Sequence, residues 1–319
     1  MSVQPEALPL APSPSRRRRQ GRFAASESAY ERRRERFAWM LVAPSVLIVA
    51  LVAFYPLYET FRLSLTNARL GSTNTVGYLG LQNYRTILSD SDFIDALRRT
   101  VFFTISSVGI ELVAGMIIAL VINSNFRGRT AMRTSMLVPW AIPTVVSALM
   151  WQWMFHDIFG IINDVLVNKL HIIDEKIAWL AGSNTAFAAM VAVDVWKTTP
   201  FMALLLLAGL QIIPTDVYEA STVDGASRAQ QFWQITLPLV RPALLVALIF
   251  RTMDAFRIFD LPYVLTGASP QTQTVAVYAR DVLVGFQRLG RGSAAAVIIF
   301  LLIAFMVFLY TRLLNFEEE

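Results

Sequence analysis

Residues 218–238 read YEASTVDGASRAQQFWQITLP, a polar stretch held between two of the most apolar runs of the chain, 186–210 and 242–264. Just upstream, Pro214 is pre-organised for the first turn of a helix, and acidic Asp216 and Glu219 suit its positive N-terminal end. Asp224-Gly225 offers a break, because glycine reaches backbone angles closed to other residues. Residues 226–236 then read as a second short helix with Phe232, Trp233 and Ile235 as apolar contacts, ended by Leu237-Pro238. Two short helices meeting at an Asp-Gly corner are the expected result. Such a corner is either an ordinary loop helix or a docking element for a soluble protein.

The flanking runs set the solvent. The chain has 319 residues, 55% of them hydrophobic and 16% charged, with a mean hydropathy of +0.51. Soluble domains carry about 25% charge. Six segments approach the ~20 apolar residues that cross a bilayer: 39–61, 101–122, 132–155, 186–210, 242–264 and 293–313. The expected fold is therefore an all-α integral membrane protein with six transmembrane helices, occupying residues 37–319. Pro44, Pro56, Pro139 and Pro143 fall inside spans, where neighbouring helices can satisfy the freed backbone groups.

The formal charge of +5 is local, since nine of the 28 Lys and Arg residues lie in the first 36. Residues 1–36 are rich in Pro, Ala, Ser and Arg and read as a disordered basic cytoplasmic tail that meets anionic lipid, in preference to a nucleic-acid-binding segment. The apolar run that follows is long enough to be an uncleaved anchor, not a signal peptide. Basic residues favour the face that carries this tail, and Arg127, Arg129, Arg133, Arg228 and Arg241 fall on the same side. Both termini and loop 214–238 are thus expected in the cytoplasm.

With no Cys and only His156 and His171, the chain offers neither a disulfide framework nor a thiolate nucleophile, and no metal site is expected. On the outer side, FIDALRRT (93–100) reads as a surface helix before the second span. GIINDVLVNKL (160–170) repeats its apolar positions at helical spacing, as a loop packed on the bundle, a membrane-surface segment or a partner contact would.

Ionisable residues at membrane depth are costly and face the bundle interior or a polar path. The fourth span holds Asp194, Thr198 and Phe201 on one face. The fifth holds Arg251, Asp254, Arg257 and Asp260 at intervals of three, alternating in sign. These groups are either mutually neutralising ion pairs or the lining of a pathway.

The loop resembles the EAA loop of permease subunits of binding-protein-dependent ABC importers, through Glu219-Ala220, Gly225 and Ile235 followed by Leu237-Pro238. Its place two spans before the C-terminus also matches, and Ser221 stands where the pattern has its third Ala. The resemblance implies the type I ABC importer permease fold in the inner or plasma membrane, with a coupling segment that includes Glu219, Ala220, Asp224, Gly225 and Ala226. It implies as partners a second homologous permease, two ABC ATPase subunits and an extracytoplasmic sugar-binding protein. VWKTTPFMALLLLAGL and FRTMDAFRIFDLPYVLTG are similar to trehalose and maltose permeases. The substrate-binding residues this implies are Trp140, Asp194, Thr198, Phe201, Arg251, Asp254, Ala255 and Ile258.

No G-x-x-x-x-G-K-[ST] run occurs. The chain is therefore expected to be no enzyme and to hold no cofactor, with ATP and Mg bound by the ATPase partners. Glycerol phosphate is an alternative cargo, given Arg251 and Arg257. An ion-coupled secondary transporter would use Asp194, Asp254 and Asp260, although no inverted repeat is evident and it needs no docking loop. A scaffold subunit without cargo is a further alternative.

Overall fold

The computed structural model describes residues 14–72, 75–267 and 269–314, with side chains from residue 33 to residue 312. It comprises two compact units, Met1–Glu59 and Thr60–Glu319. Among the described residues, five segments are long and apolar enough to cross a bilayer: Arg33–Ser64, Ser91–Asn123, Ser183–Leu210, Arg228–Leu265 and Leu289–Arg312. The bent pair Arg129–Ala141 and Thr144–Met154 supplies a sixth when counted as one span. Beyond an isolated bridge of Thr66 with Tyr78, no strand occurs among the described residues.

Helix α1 (Pro14–Ser64) begins well before the expected span. Of the expected tail, residues 1–13 lie outside the described residues and 14–36 continue the helix. Arg, Ala and Glu are strong helix formers, and extending a helix from an apolar span avoids the cost of nucleation.

In the second unit, the short α2 (Gln82–Leu88) leads into α3 (Ser91–Asn123). Residues 93–100, expected as a separate surface helix, are instead the first turns of α3. The Asp90 side chain caps α3 by accepting from Asp92 N at 3.0 Å, and Phe93, Ala96 and Thr100 are buried.

The third span departs most from expectation. Helices α4 (Arg129–Ala141) and α5 (Thr144–Met154) meet at 90°. Ile142 is extended, with φ −71° and ψ 132°, as a residue preceding proline prefers. Pro143 cannot donate to the helical ladder. One continuous run in sequence is therefore a broken helix in space.

After a short helix, α6 (Ile161–Asn163), and a π turn over Asp164–Lys169, the loop that follows α5 returns to the bundle. Buried Asn163 anchors it. Its Nδ2 donates to the Asp157 and Ile177 carbonyls at 3.0 and 2.9 Å, and its Oδ1 accepts from Trp179 Nε1 at 2.9 Å. Ile162, Trp179 and Leu180 pack on the main apolar cluster, as the bundle-packing reading expects, while Ile161 and Leu170 stay exposed.

Helix α7 (Ser183–Leu210) packs chiefly on α3 and then on α10 (Leu237–Phe256), reached through α8 (Thr215–Val223) and α9 (Arg228–Gln231). Glycines permit both approaches. A Cβ on Gly115 would lie 2.7 Å from Met202 Cγ, and one on Gly209 would lie 2.4 Å from Ala243 Cβ and 2.9 Å from Val240 Cγ2. Helices α11 (Asp260–Leu265), α12 (Val275–Arg280) and α13 (Leu289–Leu314) complete the unit. Val275 N donates to Thr100 Oγ1 at 2.9 Å, and the Tyr278 hydroxyl donates to Asp90 Oδ2 at 2.7 Å. Burial and that carboxylate push the Tyr278 phenol well above its usual range.

Gly209→Ala should cost about 1–3 kcal/mol by overpacking and lower the melting temperature of the detergent-solubilised protein by several degrees. An unchanged melting temperature would show that α7 and α10 separate freely.

Candidate functional site

The polar corner at 214–238 leads into the helical segment Arg228–Leu265, which carries Arg251 and Asp254. Helix α8 ends at Asp224, and Gly225 takes φ +82°, the left-handed conformation that glycine adopts without strain. A capping box between Ser227 and Gln230 starts α9. Gln231 Nε2 then donates to Ser221 Oγ at 2.9 Å and Thr222 Oγ1 at 3.0 Å. Tyr218 and Thr236 hydroxyls meet at 3.0 Å. These bonds cross the corner and fix its angle. Glu219, Ala220 and Asp224 are exposed and Ala226 is half-buried, while Val223 and Trp233 present 88% and 65% of their surfaces.

Leu237-Pro238 does not end the second short helix, as the pattern had suggested. A π turn over Phe232–Thr236 precedes it, in which Leu237 N donates to the Phe232 carbonyl. Pro238 then sits in the first turn of α10, where a missing N–H is tolerated. The corner therefore runs without interruption into the fifth span.

Deep in that span is Arg251. Its Nε donates to Glu111 Oε2 at 2.5 Å and its Nη2 to Glu111 Oε1 at 2.8 Å, a bidentate pair between α10 and α3. Nη2 also donates to Asp194 Oδ2 at 3.1 Å on α7, and Nη1 to Asp254 Oδ2 at 3.1 Å. One guanidinium thus ties three helices. Arg251 is 2% exposed and Glu111 0%, whereas the Asp254 side chain is 69% exposed. Ser107 bridges the Glu111 and Asp194 carboxylates. Thr198 Oγ1 lies 2.6 Å from both Glu111 Oε1 and the Asp194 carbonyl, and its single proton serves one of them.

The break in the third span completes the site. It frees the carbonyls of Trp140 and Ile142, and Lys197 Nζ donates to them at 3.3 and 2.9 Å. A cleft of about 600 Å³ opens beside these groups, lined by Trp140, Asp194, Lys197, Thr198, Arg251, Asp254, Arg257, Ile258 and Asp260. Trp140 is 47% exposed. Phe201 stacks against it, ring centroids 5.7 Å apart and planes 8° from parallel, and does not itself line the cleft. Ala255 is buried in the apolar cluster and does not reach it either.

Two features escaped the pattern. Glu111 and Lys197 sit at the centre of the site, yet neither was singled out. A lone acid in GIELVAGM was itself the signal, since a carboxylate at that depth needs a cation. Conversely, Arg257 and Asp260 do not continue the alternating ladder. Helix α10 stops at Phe256, Arg257 Nε donates back to the Met253 carbonyl at 3.1 Å, and Asp260 opens a new helix.

Chemically, the site offers two exposed carboxylates, Asp254 and Asp260, the exposed Arg257 guanidinium, an ammonium group, backbone carbonyls and an indole face. Such a set binds hydroxyl-bearing rings, by hydrogen bonds at the edge and apolar contact at the face. Removing one partner of a buried ion pair costs roughly 3–5 kcal/mol. Arg251→Met alone should therefore lower the yield of folded protein in the membrane and its melting temperature, and adding Glu111→Leu should restore much of both. Failure of the double variant to recover would show that the pair does more than compensate charge.

Residues 111–316 match the family described as binding-protein-dependent transport system inner membrane component. The chain is 40% identical over 283 residues to the sulfoquinovosyl glycerol transport system permease protein of Agrobacterium fabrum, covering 88% of this chain and 91% of that protein. It is 38% identical over 290 residues to the trehalose/maltose transport system permease protein of Thermococcus litoralis, covering 90% and 96%. A chain of a bacterial ABC transporter involved in import of the acidic polysaccharide alginate superposes with a TM-score of 0.77 at 18% identity, covering 92% of this chain and 100% of that one.

Proposed function

The chain belongs to the binding-protein-dependent transport system inner membrane components, and from that membership we propose that it is the permease subunit of an ATP-driven importer that moves a sugar of the trehalose or maltose type into the cytoplasm. The observation that carries this reading is the polar cleft beside Arg251, joined by one unbroken helical path to the exposed corner at Gly225. A second homologous permease completes the pathway, one of two ATPase subunits grips the corner, and a binding protein delivers cargo from outside. Both termini then lie in the cytoplasm. ATP and its Mg are held by the ATPase partners, and this chain catalyses nothing itself.

The cycle is alternating access. Closure of the ATPases pulls on the corner around Glu219 and Gly225, and the fifth span carries the motion to Arg251. Asp254 and Lys197 receive cargo hydroxyls, and Trp140, backed by Phe201, offers its face to the ring. Arg251 and Glu111, both buried, hold Asp194 and Asp254 in place.

The names of the relatives support a sugar, and the charges narrow the choice. The cleft lining carries three acids, Asp194, Asp254 and Asp260, against three bases, Lys197, Arg251 and Arg257, with Glu111 buried behind it. A cleft without net positive charge favours a neutral disaccharide over a sulfonated sugar or glycerol phosphate. The same ATP-dependent docking corner weighs against the ion-coupled alternative.

With the assembled transporter in proteoliposomes, Asp254→Asn should reduce sugar uptake by roughly tenfold, the scale of one lost charge-assisted hydrogen bond, while leaving the melting temperature unchanged. Uptake at the wild-type rate would remove Asp254 from the pathway. Glu219→Lys should abolish sugar-stimulated ATP hydrolysis with normal membrane insertion, and retention of that stimulation would overturn the coupling role of the corner. Uptake of a neutral disaccharide that persists without ATP and collapses with the proton gradient would replace the whole reading with secondary transport.

A further inference from the structure

A second polar cleft, distant in sequence from the first, has no part in the mechanism above. It measures about 210 Å³ and is lined by Arg69, Arg288 and Arg291 together with Asn67, Gln82 and Thr86, and no carboxylate lines it. None of the three guanidinium groups is paired with a carboxylate among the described residues. Like charges gathered without a counter-ion repel one another and need either water or an anion.

The backbone holds them together. Leu70 N donates to the Gln287 carbonyl and Gly290 N to the Ala68 carbonyl, both at 2.9 Å. These two bonds flank Arg69 on one segment and Arg288 on the other. Asn83, buried beneath, donates to the Ser64 and Thr66 carbonyls at 2.8 and 2.7 Å. A Cβ on Gly290 would lie 2.1 Å from the Thr66 carbonyl oxygen, so the segments approach as closely as only glycine allows. Gln287 takes φ +56°, a left-handed conformation that is costly for a non-glycine residue. The fold thus accepts strain at the turn that presents Arg288.

The level of the cleft identifies its ligand. Arg69 follows the end of the Arg33–Ser64 span, and Arg288 and Arg291 stand at the start of the Leu289–Arg312 span. The boundary of a span is where phospholipid headgroups lie. The orientation proposed above makes this the outer face, where basic residues are disfavoured near span ends, so three in one cleft call for a compensating anion. Arginine forks match phosphate oxygens in pairs. We propose that this cleft binds a phosphate group, presented by the headgroup of an anionic phospholipid.

The test uses the full-length chain in nanodiscs of phosphatidylcholine containing a minor fraction of phosphatidylglycerol, with native mass spectrometry of the co-purified lipid. Wild type should enrich phosphatidylglycerol. Arg69→Gln/Arg288→Gln should lose that enrichment by roughly tenfold, with the melting temperature as a folding check. Arg69→Gln alone, at an exposed position, should lower it in the same direction and stands in if the double variant fails to insert. Equal enrichment by wild type and variants would overturn the proposal. A second arm adds inorganic phosphate to the protein in neutral detergent. Stabilisation there without any lipid preference would keep the phosphate site and move its source from lipid to solution. Loss of binding-protein docking in the variants, with lipid retention and phosphate stabilisation unchanged, would overturn the site in favour of an acidic protein partner.

Discussion

A guanidinium with almost no access to water, placed within membrane-spanning helices, organises this molecule. Arg251 cannot be neutralised by losing a proton and cannot remain alone in a low-dielectric surrounding. It therefore demands carboxylates from its neighbours, and three elements answer: Glu111 from α3, Asp194 from α7 and Asp254 from its own helix. Those contacts set the approach of α3, α7 and α10, the helices that bury most of the apolar core. The small residues Gly115 and Gly209 make the same approach sterically possible. Charge and shape thus specify one packing, and a slip of any helix by one turn would strand an ion.

The broken third span belongs to the same logic. A helix interrupted in a membrane exposes carbonyls that must be satisfied within the protein. Lys197 supplies the donors, and in doing so its ammonium joins the lining of the cleft. The cost of the break and the cost of the lysine offset one another. The cleft lies where Ile142 and Pro143 turn the chain through 90°.

Much of this was legible in the residues. Six apolar runs, the polar corner and the intramembrane charges Asp194, Arg251 and Asp254 all follow from hydropathy and spacing. What escaped was set by the third dimension. Glu111 is a single letter in an apolar run, and its importance rests on a partner 140 residues away. The fate of Arg257 and Asp260 turned on where α10 ends, and element ends are weakly encoded. Pro238 looked like a terminator, because proline usually is one. Only the π turn before it, which moves the donor pattern by one residue, lets the helix pass through. Ala255 and Phe201 lie on helices that border the cleft, but their angular positions depend on packing that periodicity alone does not resolve.

The continuity through Pro238 bears directly on how the two ends of the site communicate. From Arg228 to Arg251 the helical rise of 1.5 Å per residue spans about 35 Å. A terminated helix and a free turn at Leu237 would have absorbed motion of the corner. A continuous helix transmits it, provided the corner itself is stiff, and the Ser227–Gln230 capping box with the Gln231 bonds to Ser221 and Thr222 supplies that stiffness. At the far end the lever meets a polar cluster, not a greasy slide. Each hydroxyl of Ser107 and Thr198 has two acceptors within reach and one proton to give. A cluster with alternative hydrogen-bonding arrangements can change partners without leaving a buried charge bare. On the proposed reading, that property lets the fifth span move against α3 and α7 while Arg251 stays compensated throughout.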